Sequence, residues 1–183
     1  QDKIWNLSKK YNFKIIEDAS HAFGAVYNNS KIGDCKYSDI TVFSFHPVKI
    51  ITSAEGGAIT TNNKTLYNKI IQLRENGIQR NNPKKIHDDP NFYDVVDLGY
   101  NFRINEINSS LGISQIKKMK QFRYKKNKIV NYYFSSLNHP NIYLPKYFKN
   151  RVSSWHLFII RFKESLIKKT SKSKIIKFLR KKG

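Results

Sequence analysis

Phe43-Ser44-Phe45-His46-Pro47-Val48-Lys49 decides how this chain is read. Ile40 to Phe45 is an apolar run of strand length, and Pro47 stops it from continuing in regular structure. The glycine pair Gly56-Gly57 follows, where backbone can approach closely beside the lysine. Upstream, Lys14-Ile15-Ile16-Glu17-Asp18 reads as a second short strand. Its apolar centre suggests burial on both faces, as in a parallel sheet. That strand delivers Asp18 from its carboxyl end, with Glu17 on the opposite face because side chains alternate.

Working outward, residues 2–11 carry Ile4, Leu7 and Tyr11 at helical spacing, and Asn12 ends that helix. Ala19 to Ala25 is small and contains Gly24. Asn28-Asn29-Ser30 is a turn signal. Ala58 to Thr61 is a strand closed by Asn62-Asn63, and Lys64 to Asn76 a helix with Leu66, Ile70, Ile71 and Leu73. Residues 77–100, polar and holding Pro83 and Pro90, read as one long loop. From Asn105 a helix with Ile107, Leu111, Ile116 and Met119 on one stripe continues as a long helix towards Leu137. His139-Pro140-Asn141 breaks the chain. Trp155 to Phe162 reads as a strand, and Ser173 to Lys182 as a basic helix with Ile175, Ile176 and Leu179 inside. Helices alternating with buried strands argue for an α/β layered sheet. The division expected is a large domain over 1–118, with a bridging helix and the beginning of a smaller domain over 119–183.

The chain has 183 residues, enough for one domain and part of another. It opens on Gln1 and stops on Lys182-Gly183 within structured patterns, so it is expected to be an internal piece of a longer polypeptide. Cys35 is alone, which excludes an intrachain disulfide. No apolar run is long enough to span a bilayer, and no signal peptide is visible. The formal net charge of +21 raises nucleic acid as a partner. Lysine is scattered almost everywhere, however, and the clusters 117–128 and 168–182 fall on helical patterns whose lysines are solvated faces. No zinc spacing or helix-turn-helix pattern accompanies them, so the expectation is no nucleic acid, no membrane and no metal.

Lys49 and Asp18 are an amine and a carboxylate at the ends of neighbouring strands. Pyridoxal phosphate chemistry uses that pair: the amine forms a Schiff base and the carboxylate keeps the pyridine nitrogen protonated. Four stretches then occur in order: Glu17-Asp18-Ala19-Ser20-His21-Ala22, the lysine stretch, Ala54-Glu55-Gly56-Gly57-Ala58, and Leu98-Gly99-Tyr100-Asn101-Phe102-Arg103. Together they resemble the DegT/DnrJ/EryC1/StrS aminotransferases, over residues 3 to about 135 most clearly.

The resemblance implies the pyridoxal phosphate-dependent transferase fold type I, aspartate aminotransferase-like, here a partial large domain plus the start of the small C-terminal domain. It implies a homodimer with a shared active site, longer than this chain, so the chain alone is expected to be inactive. Residue by residue, Lys49 resembles the Schiff-base lysine, against the bland reading of a solvated surface lysine. Asp18 resembles the pyridinium partner, against a helix N-cap. His21 resembles a residue near the cofactor ring, against a satisfied buried histidine. Ser44 resembles a hydroxyl donor to the cofactor phosphate, against a small polar filler. Asn101 resembles the residue that reaches the phosphate of the partner subunit's cofactor, against a turn asparagine. Glu55 orders the lysine loop.

The function implied is transfer of an amino group, from glutamate, to C4 of a UDP-linked 4-keto-6-deoxy N-acetylhexosamine in the cytoplasm. The His-Pro-Val-Lys wording resembles the pseudaminic acid branch of the family. A perosamine- or aminoarabinose-type enzyme is the alternative within it, and a basic nucleic-acid-binding module the alternative outside it.

Overall fold

The computed structural model describes residues 1–80, 89 and 91–183. Pro83 and Pro90 of the expected loop lie outside the described residues. Helix α1, Asp2–Tyr11, has Asp2 in its first turn and Lys9 and Lys10 in its last, each sign complementing the helix dipole. Asn12 closes it in the left-handed conformation at φ 54°.

The central sheet has three strands in the order β1 (Ile16–Asp18), β4 (Ile40–Ser44), β5 (Gly57–Thr60). Strand β1 runs parallel to β4 with Asp18 opposite Val42, and β5 runs antiparallel to β4. Asp18 therefore ends its strand at the same sheet edge from which β4 leaves for the lysine loop. Glu17 faces the other way, where Gln1 and Thr41 donate to its carboxylate. The core sits on β4 and that loop: Ala19, Thr41, Phe43, Ile50, Ile51 and Ser53 are buried.

Strand β1 is not buried on both faces. Ile16 is 68% exposed, because nothing among the described residues covers that face of β1, which is also the edge strand of its sheet. Among the described residues the expected long loop also contains a strand pair, β6 (Ile78–Gln79) with β7 (Asp94–Val95), so it is not wholly irregular. Helix α2 spans Lys64–Arg74, with Asn63 Oδ1 accepting from the Leu66 N–H at its start.

The long helix expected after Asn105 is two helices, α3 (Glu106–Lys117) and α4 (Met119–Ser136). They part at Lys118, whose φ of −89° and ψ of 0° end the regular ladder. The stripe assigned to the first of them is largely uncovered, Ile107 being 82% exposed.

A hairpin joins β2 (Val26–Tyr27) to β3 (Ser30–Lys31) through Asn28 and Asn29, both at positive φ. Two consecutive positive φ values are what a tight hairpin turn demands, and asparagine tolerates them. Strand β9, Arg151–Val152, adds to the other edge of β2 and returns the second half of the chain to the first. The expected strand over 155–162 is confined to β10 (Arg161–Phe162), paired with β8 (Ile142–Tyr143). Trp155 adopts φ 52°, which breaks an extended run. Helices α5 (Glu164–Ile167) and α6 (Lys172–Lys181) follow. Contrary to expectation, Ile176 and Leu179 of α6 are exposed, and only Ile175 is half-buried.

The turn before Asn101 is a close backbone approach, leaving no room for a side chain at Gly99. A Cβ added at Gly99 would overlap Gly77 N and Asn76, and these cannot yield because Asn76 N–H donates to Tyr100 O at 2.9 Å. Gly99→Ala is expected to destabilise the fold by about 1–3 kcal/mol, the cost of overpacking. Chemical denaturation checks this; an unchanged midpoint contradicts the packing described.

Candidate active site

The lysine loop is held at both ends. Phe45 N–H donates to Gly56 O at 2.8 Å, and Ser53 N–H donates back to Phe45 O at 3.0 Å. Thr52 Oγ1 donates to the same carbonyl at 3.0 Å and accepts the Ala54 N–H at 2.9 Å. Ile50 and Ile51 plug the loop into the core. Lys49 N–H donates to His46 O at 2.9 Å, closing the turn that presents its side chain. The Lys49 side chain is half-buried, and its amine makes no hydrogen bond or ion pair among the described residues.

Asp18 lies across from it. Ser20 donates to Asp18 Oδ1 twice, from its Oγ at 2.6 Å and its N–H at 3.0 Å. These bonds, first the hydroxyl and then the amide, hold the carboxyl below the usual aspartate range, and the charges of His21 and Lys49 push the same way. Oδ2 is left without a hydrogen-bond partner among the described residues. An ionised carboxylate with one open oxygen, beside an unpaired amine, is a donor set that fits a protonated pyridine ring bearing an aldehyde.

His21 joins this group. Its ring centroid lies 4.1 Å from that of His156, with 36° between the planes. Ser44 ends β4, and its Oγ accepts the His46 N–H at 3.5 Å, a long bond that leaves the hydroxyl proton uncommitted. Asp18, His21 and Lys49 thus act on one another, with Ser44 at the strand end that leads to the lysine.

Asn101 stands elsewhere. It is exposed, bridges Glu75 in the backbone, and accepts from Arg103 Nε at 3.1 Å. Its neighbours touch the far end of the lysine loop, where Asn108 Nδ2 donates to Glu55 O at 3.1 Å. Glu55 contacts His46 Nε2 at 3.8 Å and so ties that loop end to its start. A mainly apolar cleft lined by Val42, Phe43, Ile59, Ile70, Leu73 and Phe102, with Arg74 at its wall, contains none of Asp18, His21 and Lys49.

Two neighbours escaped the sequence reading. Ser20 sits inside the first motif, where an Asp-x-Ser spacing signals a side chain accepting from the residue two on. His156 gave no local signal, because its approach depends on the pairing of β9 with β2.

The profile of the DegT/DnrJ/EryC1/StrS aminotransferase family matches residues 2–183. A UDP-4-amino-4,6-dideoxy-N-acetyl-beta-L-altrosamine transaminase of Campylobacter jejuni is 46% identical over 132 residues, covering 72% of this chain and 33% of that protein. Among solved structures, Helicobacter pylori PseC, an aminotransferase involved in the biosynthesis of pseudoaminic acid, superposes with a TM-score of 0.85 at 32% identity. That match covers 100% of this chain and 46% of PseC. Streptococcus pneumoniae Spr1654 in its PMP form gives a TM-score of 0.75 at 28% identity, over 86% of this chain and 41% of that one. The same protein is also known in a PLP form. The chain spans between a third and a half of the length of these relatives.

Proposed function

Because the chain belongs to the DegT/DnrJ/EryC1/StrS aminotransferase family, we propose that it is the catalytic-lysine portion of a longer pyridoxal phosphate-dependent sugar aminotransferase. Its architecture is part of fold type I, the aspartate aminotransferase-like fold. The observation that carries the reading is the placement of Lys49 and an ionised, half-open Asp18 at one edge of the parallel β1–β4 pair. Carboxyl ends of parallel strands are where α/β sheets take their ligands. We take residues 1–118 as part of the large domain and 119–183 as the bridging helix and the beginning of the small one.

Bound pyridoxal phosphate supplies an aldehyde to hold nitrogen and a ring to spread the electrons released at carbon. Asp18 Oδ2 would hold the ring nitrogen and keep it protonated, while Ser20 holds the carboxylate ionised through Oδ1. Lys49 Nζ would hold the cofactor at its aldehyde. Its amine, which pairs with nothing among the described residues, would also be the group that moves a proton during the exchange of nitrogen. Ser44 Oγ would donate to the phosphate, and His21 would stand beside the ring. Asn101 reaches the site of a second subunit. The exposure of Leu98 at 90% and Phe102 at 70%, on either side of Asn101, supports an interface there.

The amino acceptor we propose is a UDP-linked 4-keto-6-deoxy N-acetylhexosamine and the donor glutamate, in the cytoplasm where nucleotide sugars are made. The likeness to the Campylobacter jejuni transaminase supports that choice of acceptor. The complete protein, given cofactor, glutamate and this keto sugar, is expected to release 2-oxoglutarate and the 4-amino sugar in equal amounts. No 2-oxoglutarate with any nucleotide-linked 4-keto sugar contradicts the proposal. Salt-sensitive binding to DNA without such turnover favours the basic-module reading instead.

A further inference from the structure

His156 arrives at His21 from the second half of the chain, on a segment built to reach it. Two residues earlier Ser154 is buried at 3% exposure, and its Oγ donates to the carbonyl oxygen of His21 at 3.5 Å. The segment holds both the main chain and the ring of His21. Between the two contacts Trp155 takes φ 52°, a conformation that costs a non-glycine residue about 1–2 kcal/mol. The Trp155 ring makes up for this by packing against Phe134 at 5.9 Å and Phe158 at 5.8 Å. Lys126, Val130 and Phe134 recur every four residues on α4, and Val130 is buried, so one face of that helix supports the segment.

We infer that His156 is a positioning residue of the cofactor site, holding the His21 ring at the angle at which its open face meets the cofactor. The inference rests on the reading of Lys49, Asp18 and His21 given above. His21 is exposed even though one side of its ring meets His156, so its other side is open. His156 itself is half-buried, and burial, followed by the charges of His21, Lys49 and Lys126, pushes its proton affinity below the ordinary histidine range. Around neutral pH it is therefore a neutral, flat partner that adds no charge beside Lys49. The contact makes the geometry of the site depend on a segment of the proposed small domain.

Two variants of the complete protein separate the possibilities. His156→Phe keeps a flat ring against His21, whereas His156→Gln keeps a polar group without one. Pyridoxal phosphate affinity, titrated by visible absorbance, is expected to fall about three- to tenfold in His156→Gln, the range of an aromatic pair. In His156→Phe it is expected to stay within about twofold of the parent. Equal affinities in the two variants overturn the inference. Borohydride labelling of Lys49 on the same samples tells which reading has failed. Normal labelling with equal affinities removes His156 alone and leaves the lysine reading standing. A parent protein that takes no label at Lys49 overturns both.

Discussion

Lys49→Ala is expected to lower amino transfer by at least about a thousandfold, the loss of a group that both anchors and shuttles a proton. The fold should survive. The loop is held by bonds of Phe45, Thr52, Ser53 and Gly56, and Lys49 contributes to it only through its backbone N–H. Its amine pairs with nothing among the described residues, so its removal leaves no orphaned partner behind. The expected change in stability is within about 0.5 kcal/mol, that of a surface substitution. Loss of turnover with an unshifted unfolding midpoint therefore separates chemistry from folding. Lys49→Arg should fare no better, because a guanidinium keeps the charge but cannot give up its proton. Steady-state rates for the three proteins check this, and a variant within tenfold of the parent contradicts it.

Asp18→Asn carries the second large effect, an expected loss of about a hundredfold to ten-thousandfold in turnover. The amide is the same shape and can accept one hydrogen bond, but it is neutral. A neutral amide would not hold a pyridine nitrogen protonated, and so would weaken the electron sink that the cofactor supplies. The acid side of the pH profile gives a second reading of the same residue. Ser20 holds the carboxyl below the ordinary aspartate value. Asp18 thus stays ionised above that lowered value, and its contribution is lost only as pH falls through it, below the ordinary aspartate range. In Ser20→Ala the two supporting bonds are reduced to the backbone one, so the acid limb should move to higher pH. An acid limb that moves down or stays in place contradicts the role given to Ser20.

The positions of Lys49 and Asp18 were legible because each follows from a local pattern. An apolar run ended by a proline makes a strand and then a turn, and a short β-branched run ending in an acid makes its parallel neighbour. The order of four motifs then identified the family. What could not be read locally depends on pairings made far along the chain. The alternation in 155–162 looks like a strand, yet Trp155 turns left-handed because β9 pairs with β2 and Trp155 packs on Phe134. That same pairing brings His156 to His21. The break between α3 and α4 falls at Lys118, with neither glycine nor proline to announce it. Apolar stripes on α3 and α6 were visible, but a stripe states which face is apolar and not whether anything covers it. The same holds for β1, where a run that reads as doubly buried is exposed for want of a covering layer.

Every role proposed for the site depends on Lys49 being the residue that holds the cofactor. The direct measurement is borohydride reduction of the complete protein with pyridoxal phosphate, followed by proteolysis and mass spectrometry. The predicted result is a phosphopyridoxyl group on the peptide containing Val48-Lys49-Ile50, absent from the Lys49→Ala protein. A label carried by another lysine, with Lys49 unmodified and the protein active, contradicts the account.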